Sequence, residues 1–340
     1  MPIKNSETTQ HTNFYICHTP YHFYISSLIA EQYFSNDTNI AIIEGDSEIK
    51  GQSKFKETIR LEYIGGSVFK TYSKIEKAID LISTKITNVS TNRIFLSDIA
   101  WPLCNRVFFE NSFNQCSFNF FSDGVAAYLD KKHSTKQSMK DKFKSLLSKL
   151  CITSKYTSFK GHALGYDHSK AKGFYLPSPG LIKYKVGSTH NIDLLPPSFQ
   201  TKASNKKNVL FLDQPLWLVL KDSWPDKIDK TLSYVKSRYP EHNLYFKKHH
   251  RSRNKESELF TKHGFLQLES NYCIEELVAE RKYDVVISFY SSALLHLKWI
   301  LTPDTALINL TDDEIIKKLK INNETTDLYK SNEILTEFLT

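Results

Sequence analysis

One pair of residues whose chemistry and position suggest catalysis is Asp123-Gly124. It follows the apolar run 118–121 and Ser122, so the carboxylate would project from the end of a strand where glycine lets the backbone turn. There it could accept the proton of a sugar hydroxyl as a general base, an effect of roughly 10²–10⁴-fold in rate. Aspartate is also a favoured N-cap residue, so capping of the next helix is the alternative.

A second candidate group is the run of basic and protonatable side chains at residues 247–251, with sequence KKHHR. It directly follows the apolar run 244–246. Adjacent cations repel one another unless solvent or an anion screens them. A phosphate ester would suit them, with a histidine donating a hydrogen bond or a proton to the departing oxygen. A solvated basic turn is the alternative.

Two further polar groups lie at predicted strand ends. Ser291 and Ser292 follow the apolar run 285–287 and precede a helical segment, so they could present a helix N-terminus to a phosphate or simply cap the helix. The loop at residues 17–22, with sequence CHTPYH, lies between a strand and a helix. Its backbone could face a ligand, and His18 or His22 could equally be a structural histidine with satisfied hydrogen bonds.

All four groups follow short apolar runs that helix-length segments separate, which predicts an α/β protein with parallel sheets. The pattern restarts after residues 194–208, which indicates two αβ domains joined by a linker. Such sheets bind ligands at the carboxyl ends of their strands, so we expect both domains to face a central cleft. The predicted strands are residues 14–17, 40–43, 94–96, 118–121, 209–212, 244–246, 284–288 and 306–308, and the predicted helices are residues 21–33, 103–109, 227–238 and 293–300.

The length of 340 residues also fits two domains at roughly 150 residues each. We predict an N-terminal domain at residues 1–200 and a C-terminal domain at residues 206–325. We expect the last segment, residues 326–340, to pack back on the first domain.

Composition favours a cytoplasmic globular protein. With 40% hydrophobic and 24% charged residues, the chain is neither disordered nor collagen-like. Its 5 cysteines are odd in number and form no C-x-x-C pair, as expected of reduced thiols. Residues 1–12 hold no apolar signal core, and no apolar run approaches the roughly 18 residues that span a bilayer.

The net charge of +8 is concentrated between Lys131 and Lys170, a segment with ten lysines and two aspartates. Its apolar residues recur at helical spacing between the lysines. Such a helix can lie on anionic headgroups as a peripheral contact with the inner membrane, or it can pack its apolar side on the core. Because the charge is local and not interleaved with aromatic residues, we expect no nucleic-acid partner. The apolar residues are Met139, Phe143, Leu146, Leu147 and Leu150.

Several common motifs are missing. The sequence has no G-x-x-x-x-G-K-[ST], no G-x-G-x-x-G, no H-E-x-x-H and no D-x-D. Its 12 histidines and 5 cysteines show no zinc-ligand spacing. We therefore predict no metal and no cofactor, which disfavours a P-loop nucleotidase, a dehydrogenase and a metal-clamped sugar-nucleotide enzyme.

In their order and placement, the motifs resemble those of bacterial sialyltransferases, above all glycosyltransferase family 52, with the polysialyltransferases as relatives. The first family motif is two acids and a glycine, of which residues 122–124 (SDG) keep the second acid. The second motif is K-P-H-P, which is KKHH here at residues 247–250. Residues 291–294 (SSAL) match the serine motif, and the loop at residues 17–22 is similar to the first loop of the family.

The resemblance implies a GT-B fold, with two Rossmann-like domains, and metal-independent, inverting transfer of sialic acid from CMP-sialic acid to a terminal sugar. We expect that sugar to be galactose on a lipid-linked lipopolysaccharide, O-antigen or capsule glycan. Asp123 would be the general base in the acceptor-side N-terminal domain. In the donor domain, His249 would protonate the departing phosphate as a general acid or donate a hydrogen bond to it. The other implied site residues are Lys247, Arg251, Ser291, Ser292 and Gln214 for the donor, and Thr19, Pro20, His22 and Gly124 on the acceptor side.

Two other functions stay open. One is a different GT-B transferase that uses CMP-Kdo or a UDP-sugar. The other is a non-catalytic basic module that binds membrane or nucleic acid, which predicts steep salt dependence of binding.

Overall fold

The computed structural model describes residues 11–45, 52–64, 68–86, 92–132, 156–194, 206–249, 251–268 and 272–339, together with positions 139, 142, 145 and 146. The chain forms two units, Met1–Asp193 and Leu194–Thr340. Each unit contains its own parallel sheet. The prediction of an α/β protein with two Rossmann-like domains is therefore confirmed.

The sheet of the first unit has its strands in the order β3-β2-β1-β4-β5-β6-β7, and all its pairings are parallel. The strand order reverses between β1 and β4, which is where open α/β sheets bind ligands. The strands are β1 (Thr12–Cys17), β2 (Thr38–Glu44), β3 (Glu57–Leu61), β4 (Asn92–Leu96), β5 (Ser117–Phe121), β6 (Ala171–Leu176) and β7 (Ser188–Asn191), and the helices are α1 (Pro20–Tyr33), α2 (Val68–Lys85) and α3 (Pro102–Phe109).

Helix α1 begins in a way that the sequence dictates. Thr19 is its N-cap residue and accepts the backbone N–H of His22 at 3.2 Å. Pro20 occupies the first helical position, where its missing N–H costs nothing. The turn is therefore tight, and it keeps His18 and His22 beside the carboxyl end of β1.

The sheet of the second unit has the order β10-β9-β8-β11-β12-β13, again with parallel pairings throughout. Its strand order reverses between β8 and β11. The strands are β8 (Asn208–Leu212), β9 (Asn243–Lys247), β10 (Leu266–Gln267), β11 (Val285–Ser288), β12 (Ala306–Thr311) and β13 (Leu335–Phe338), and the helices are α4 (Trp217–Leu220), α5 (Trp224–Arg238), α6 (Asn254–Lys262), α7 (Ile274–Leu277), α8 (Ser292–Ile300), α9 (Asp313–Leu319) and α10 (Asn323–Ser331).

The C-terminal segment belongs to the second unit. Strand β13 pairs in parallel with β12, and Tyr329 on α10 is fully buried and donates its hydroxyl to the carbonyl of Ser291 at 2.8 Å. Strand β13 thereby satisfies backbone groups of β12, which would otherwise be the edge of the sheet. The expectation that residues 326–340 also pack back on the first domain stays a prediction.

Two predicted segments lie wholly or partly outside the described residues. Of the predicted linker at residues 194–208, positions 195–205 are outside them. The predicted amphipathic helix is described only at positions 139, 142, 145 and 146, where Met139 and Leu146 are 67% and 53% exposed. Within the described part of the chain, no helix combines the length and the hydropathy needed to cross a membrane.

Candidate active site

Five titratable side chains lie at the carboxyl edge of the first sheet, around the reversal between β1 and β4. We call them the histidine–carboxylate cluster. Because parallel strands end at the same edge of a sheet, residues far apart in sequence meet there. The members are His18 and His22 at the start of α1, Glu44 at the end of β2, Asp98 after β4 and Asp123 after β5.

The central contact of the cluster joins Asp123 to His22. The Nε2 atom of His22 lies 2.7 Å from Oδ1 of Asp123. The Asp123 side chain is 37% exposed, whereas that of His22 is only 4% exposed. A partly exposed carboxylate therefore rests on a buried imidazole, and the carboxylate is the group that a substrate can reach.

Asp123 does not cap a helix. It precedes a short 3₁₀ turn, Gly124–Ala127, and its side chain makes no capping hydrogen bond. Gly124 has a φ of +76°, a conformation that L side chains rarely adopt. Its N–H donates to Oγ of Ser122 at 3.2 Å. The sharp turn after the strand is thus as predicted from sequence, and the capping alternative is wrong.

Glu44 ties together the loops that surround the cluster. Its carboxylate accepts the backbone N–H of Ile64 at 2.7 Å and the indole N–H of Trp101 at 3.1 Å, and it lies 2.8 Å from Nδ1 of His18. The Nε2 atom of His18 then lies 3.1 Å from Sγ of Cys104. Both ring nitrogens of His18 are occupied within the protein, so His18 is a structural residue.

Asp98 adds a second carboxyl group near Asp123. Burial raises the pKa of Asp98, the charge of Asp123 raises it further, and the two histidines and the N–H of Trp101 oppose the rise. Its two oxygens accept the N–H of Trp101 at 2.7 Å and the hydroxyl of Ser97 at 3.1 Å. A carboxyl group held toward its neutral form here avoids placing two full charges side by side.

The sequence reasoning missed Glu44, Asp98 and Trp101. Asp98 carries the same signal as Asp123, since it follows an apolar strand by two residues. Glu44 is the last residue of the strand Thr38–Glu44. Carboxylates in such positions can be found from sequence, but their partners cannot.

In the second unit, the serine turn comprises residues 288–292 and begins at the last residue of β11. Ser291 caps α8 by accepting the N–H of Ala293 at 3.3 Å, and Ser292 is the first residue of that helix. Tyr290 has a φ of +46°, a strained backbone conformation for a residue with a side chain. The carboxamide oxygen of Asn309 holds the N–H of Tyr290 at 2.6 Å. Ser291 is therefore a helix cap, which accepts the N–H of Ala293 on its hydroxyl and the N–H of Leu294 on its carbonyl at 3.0 Å.

The basic loop, residues 247–253, follows β9 and is described except at position 250. His249 accepts the backbone N–H of Arg251 on its Nδ1 atom at 3.1 Å, so its ring hydrogen lies on Nε2. The exposed Arg251 accepts the indole N–H of Trp217 on its carbonyl at 3.2 Å. Lys247 is the last residue of β9 and half-buried.

Asp213 and Gln214 directly follow β8, and Asp213 lies beneath the basic loop. Burial raises the pKa of Asp213 to about 7. Nearby Glu256 contributes to this rise, while the Ser252 hydroxyl and the N–H groups of His249 and Gln214 oppose it. The Oδ2 atom of Asp213 and Oε1 of Glu256 are buried without a hydrogen-bond partner among the described residues. Asp213 thus supports the loop from inside, and the half-buried Gln214 is the member of the pair nearer to solvent.

The described residues contain no group of three or more histidine, cysteine or acidic side chains arranged to hold a metal ion. The hydrogen bonds described above for the histidine–carboxylate cluster and the basic loop join protein groups to one another.

Solved structures share this architecture. The MnaA protein of S. aureus, solved with UDP, is 12% identical, with a TM-score of 0.54 over 95% of this chain and 87% of that one. The glycotransferase of kitacinnamycin is 9% identical, with a TM-score of 0.52 over 97% of this chain and 86% of that one. The chain therefore has the two-unit Rossmann-like fold of the GT-B class.

The chain belongs to the alpha-2,8-polysialyltransferase family, whose model matches residues 13–309. It is therefore a glycosyltransferase of a sialyltransferase family. The narrower resemblance to glycosyltransferase family 52 stays a prediction. Among curated proteins, none matches the sequence.

Proposed function

We propose that the protein is an inverting sialyltransferase that transfers sialic acid from CMP-sialic acid to a terminal sugar of a bacterial surface glycan. The observation that carries this proposal is the partly exposed carboxylate of Asp123 on the buried imidazole of His22. It lies at the ligand-binding edge of the first sheet, in a chain that belongs to the polysialyltransferase family.

In the proposed reaction, Asp123 accepts the proton of the acceptor hydroxyl while the hydroxyl oxygen attacks the anomeric carbon of sialic acid. The bond from that carbon to the phosphate oxygen breaks, and its electron pair leaves with CMP. The new glycosidic bond forms on the opposite face, so the configuration inverts. An oxygen that is losing its proton becomes a better nucleophile as the transition state forms.

The second unit would stabilise the departing phosphate. Since Nδ1 of His249 accepts a backbone N–H, its Nε2–H is positioned as a hydrogen-bond donor. A phosphate monoester carries most of its charge near pH 7, so a donor suffices and no proton need be transferred. Lys247, Arg251 and the first turn of α8, with Ser291 and Ser292, would add positive potential. Of the two roles predicted for His249, we therefore propose that it donates a hydrogen bond to the phosphate and does not act as a general acid.

The acceptor is proposed to end in galactose or in sialic acid. Galactose follows from the motif resemblance, and sialic acid from the family to which the chain belongs. A lipid-linked acceptor at the inner membrane would give the basic segment between Lys131 and Lys170 a partner in anionic headgroups. We propose no metal and no cofactor in the reaction.

The decisive experiment compares Asp123→Asn with His249→Ala, using CMP-sialic acid and labelled galactosides and sialosides, with products identified by mass spectrometry. We expect Asp123→Asn to lower the transfer rate by at least roughly 10²-fold while the affinity for CMP is retained. We expect His249→Ala to weaken both CMP binding and transfer. The control is Asp80→Asn, which changes an exposed aspartate on α2 and should leave both measurements unchanged.

Near-normal turnover of Asp123→Asn at saturating donor would show that this carboxylate is not the base. Loss of CMP affinity in Asp123→Asn together with retention in His249→Ala would reverse the two assigned roles.

A further inference from the structure

The contact between His22 and Asp123 has a defined direction. The Nδ1 atom of His22 faces the backbone N–H of His18 at 3.3 Å, and a backbone N–H can only donate. Nδ1 therefore carries the lone pair and Nε2 carries the hydrogen. The hydrogen bond of 2.7 Å thus runs from Nε2–H of His22 to Oδ1 of Asp123.

The imidazole ring of His22 is held in place from several sides. The backbone N–H of His22 donates to Oγ1 of Thr19 at 3.2 Å. The ring packs edge-on against Phe121, with centroids 5.4 Å apart, and against His18 at 5.7 Å. Phe121 is the last residue of β5, two positions before Asp123. The same packing therefore positions both the ring and the backbone that carries the carboxylate.

Asp123 has little other restraint on its side chain. It makes no capping hydrogen bond, and Oδ2 contacts no donor among the described residues. Without His22, no other hydrogen bond from a described side chain would hold the carboxylate. With it, Oδ1 is occupied and Oδ2 is the oxygen left for another proton donor.

The opposite assignment, with His22 as the base and Asp123 as its support, does not fit the burial. The His22 side chain is 4% exposed, and both of its ring nitrogens are engaged within the protein. The Asp123 side chain is 37% exposed. An acceptor sugar can reach the carboxylate and not the imidazole.

We propose that His22 is a positioning residue that holds Asp123 by Oδ1 so that Oδ2 receives the proton of the acceptor hydroxyl. This inference rests on the proposed function, since it requires Asp123 to be the base. The acceptor proton moves to Oδ2 as the acceptor oxygen bonds to the donor sugar, and the hydrogen on Nε2 of His22 stays where it is. His22 touches neither the donor nor the acceptor.

The test compares His22→Gln, His22→Asn and His22→Leu. The amide nitrogen of glutamine can occupy the place of Nε2 and donate to Oδ1, asparagine is one carbon too short to do so, and leucine has no donor. We expect His22→Gln to keep kcat within about threefold. We expect His22→Asn and His22→Leu to lose roughly 10²-fold in kcat, as for a misplaced catalytic group, with KM for donor and acceptor within about threefold.

A purely structural role for His22 would give a different pattern. Equal losses in the glutamine and asparagine variants would overturn the proposal, as would normal kcat in His22→Leu. A rise in KM at constant kcat would also overturn it, since it would make His22 a substrate-binding residue. Because the asparagine and glutamine variants are both polar and smaller than or similar to histidine, their comparison decides the question even if His22→Leu fails to fold.

The double variant Asp123→Asn/His22→Leu separates this inference from the proposed function. If His22 acts through Asp123, then removing it in the Asp123→Asn background should cost no further activity. Full activity of Asp123→Asn alone would defeat the proposed function. Loss of activity in Asp123→Asn together with additive losses in the double variant would defeat only the role of His22.

Discussion

At the scale of single residues, the molecule uses its carboxyl groups in two different ways. Asp123 is partly exposed and accepts a hydrogen bond from a histidine, so a substrate can reach its carboxylate. Asp213 is 4% exposed and faces Glu256, so its charged form is disfavoured. Both residues follow apolar strands and look alike in the sequence, and only their surroundings distinguish them.

The raised pKa of Asp213 predicts how stability depends on pH. In the unfolded chain this aspartate loses its proton near its ordinary pKa of 3.8, whereas in the folded protein it keeps the proton up to a pKa of about 7. Between these two pKa values the folded state binds more protons than the unfolded state. The contribution of Asp213 to stability therefore falls as the pH rises, by on the order of 4 kcal/mol in total. We expect Asp213→Asn to become more stable relative to the wild type as the pH rises from 4 to 8.

This expectation is measured by urea unfolding at several pH values. The control is Asp304→Asn, an exposed aspartate in the turn before β12 that should show no such trend. A difference between Asp213→Asn and wild type that does not change with pH would contradict the prediction.

At the scale of elements, the C-terminal helix α10 supports the serine turn. The hydroxyl of Tyr329 donates to the carbonyl of Ser291, and its ring meets that of Tyr290 at 5.4 Å. The carbonyl of Ser291 and the ring of Tyr290 therefore both contact α10, which follows the turn by more than thirty residues. The strained φ of Tyr290 persists because Asn309 and Tyr329 hold the turn from two sides.

Tyr329→Phe tests this support. It removes one of the two donors to the carbonyl of Ser291, which keeps the N–H of Leu294, so we expect the free energy of unfolding to fall by roughly 0.5–1.5 kcal/mol. We also expect the KM for CMP-sialic acid to rise severalfold, because the first turn of α8 loses its fixed position. The free energy of unfolding is measured by chemical unfolding, and the KM by steady-state kinetics.

The matched control is Tyr234→Phe, which removes a hydroxyl that donates to Glu337 at 2.9 Å, away from the serine turn. It should leave the KM unchanged. An unaltered KM in Tyr329→Phe, or an equal rise in both variants, would show that α10 does not set the geometry of the proposed donor site.

At the scale of the whole molecule, ligand binding should be visible as a change in stability. A ligand that binds only the folded state stabilises it by about 2.7 kcal/mol at one hundred times its Kd. For CMP we expect a rise in Tm of several degrees, since about 1 kcal/mol corresponds to roughly 2–4 °C in proteins somewhat smaller than this one. Cytidine, which lacks the phosphate, serves as the control and should give little change.

UDP provides the comparison for donor choice and is measured in the same thermal-shift titration. A rise in Tm with UDP and none with CMP would instead support a UDP-sugar transferase. No effect of any nucleotide, with binding to anionic vesicles or RNA, would speak against the enzyme.

Much of the fold could be predicted from the sequence because its central strands are buried on both faces. Such strands are continuous apolar runs, as in residues 14–17, 209–212 and 285–287, and they end where the next turn begins. The edge strands were not predicted. Strand β7 reads STHN and is largely exposed, and β10 has two residues, so neither leaves an apolar signal.

The sequence by itself indicated the candidate site residues: Asp123 beside a glycine, His22 in the first turn of a helix, and the serines and histidines after two later strands. It indicated them because strand ends and helix starts are local features. The pairing of His22 with Asp123 spans 101 residues and depends on the order of β1, β4 and β5 in the sheet. Only the tertiary structure could decide it, because a hydrogen bond depends on distance in space and the sequence records distance along the chain.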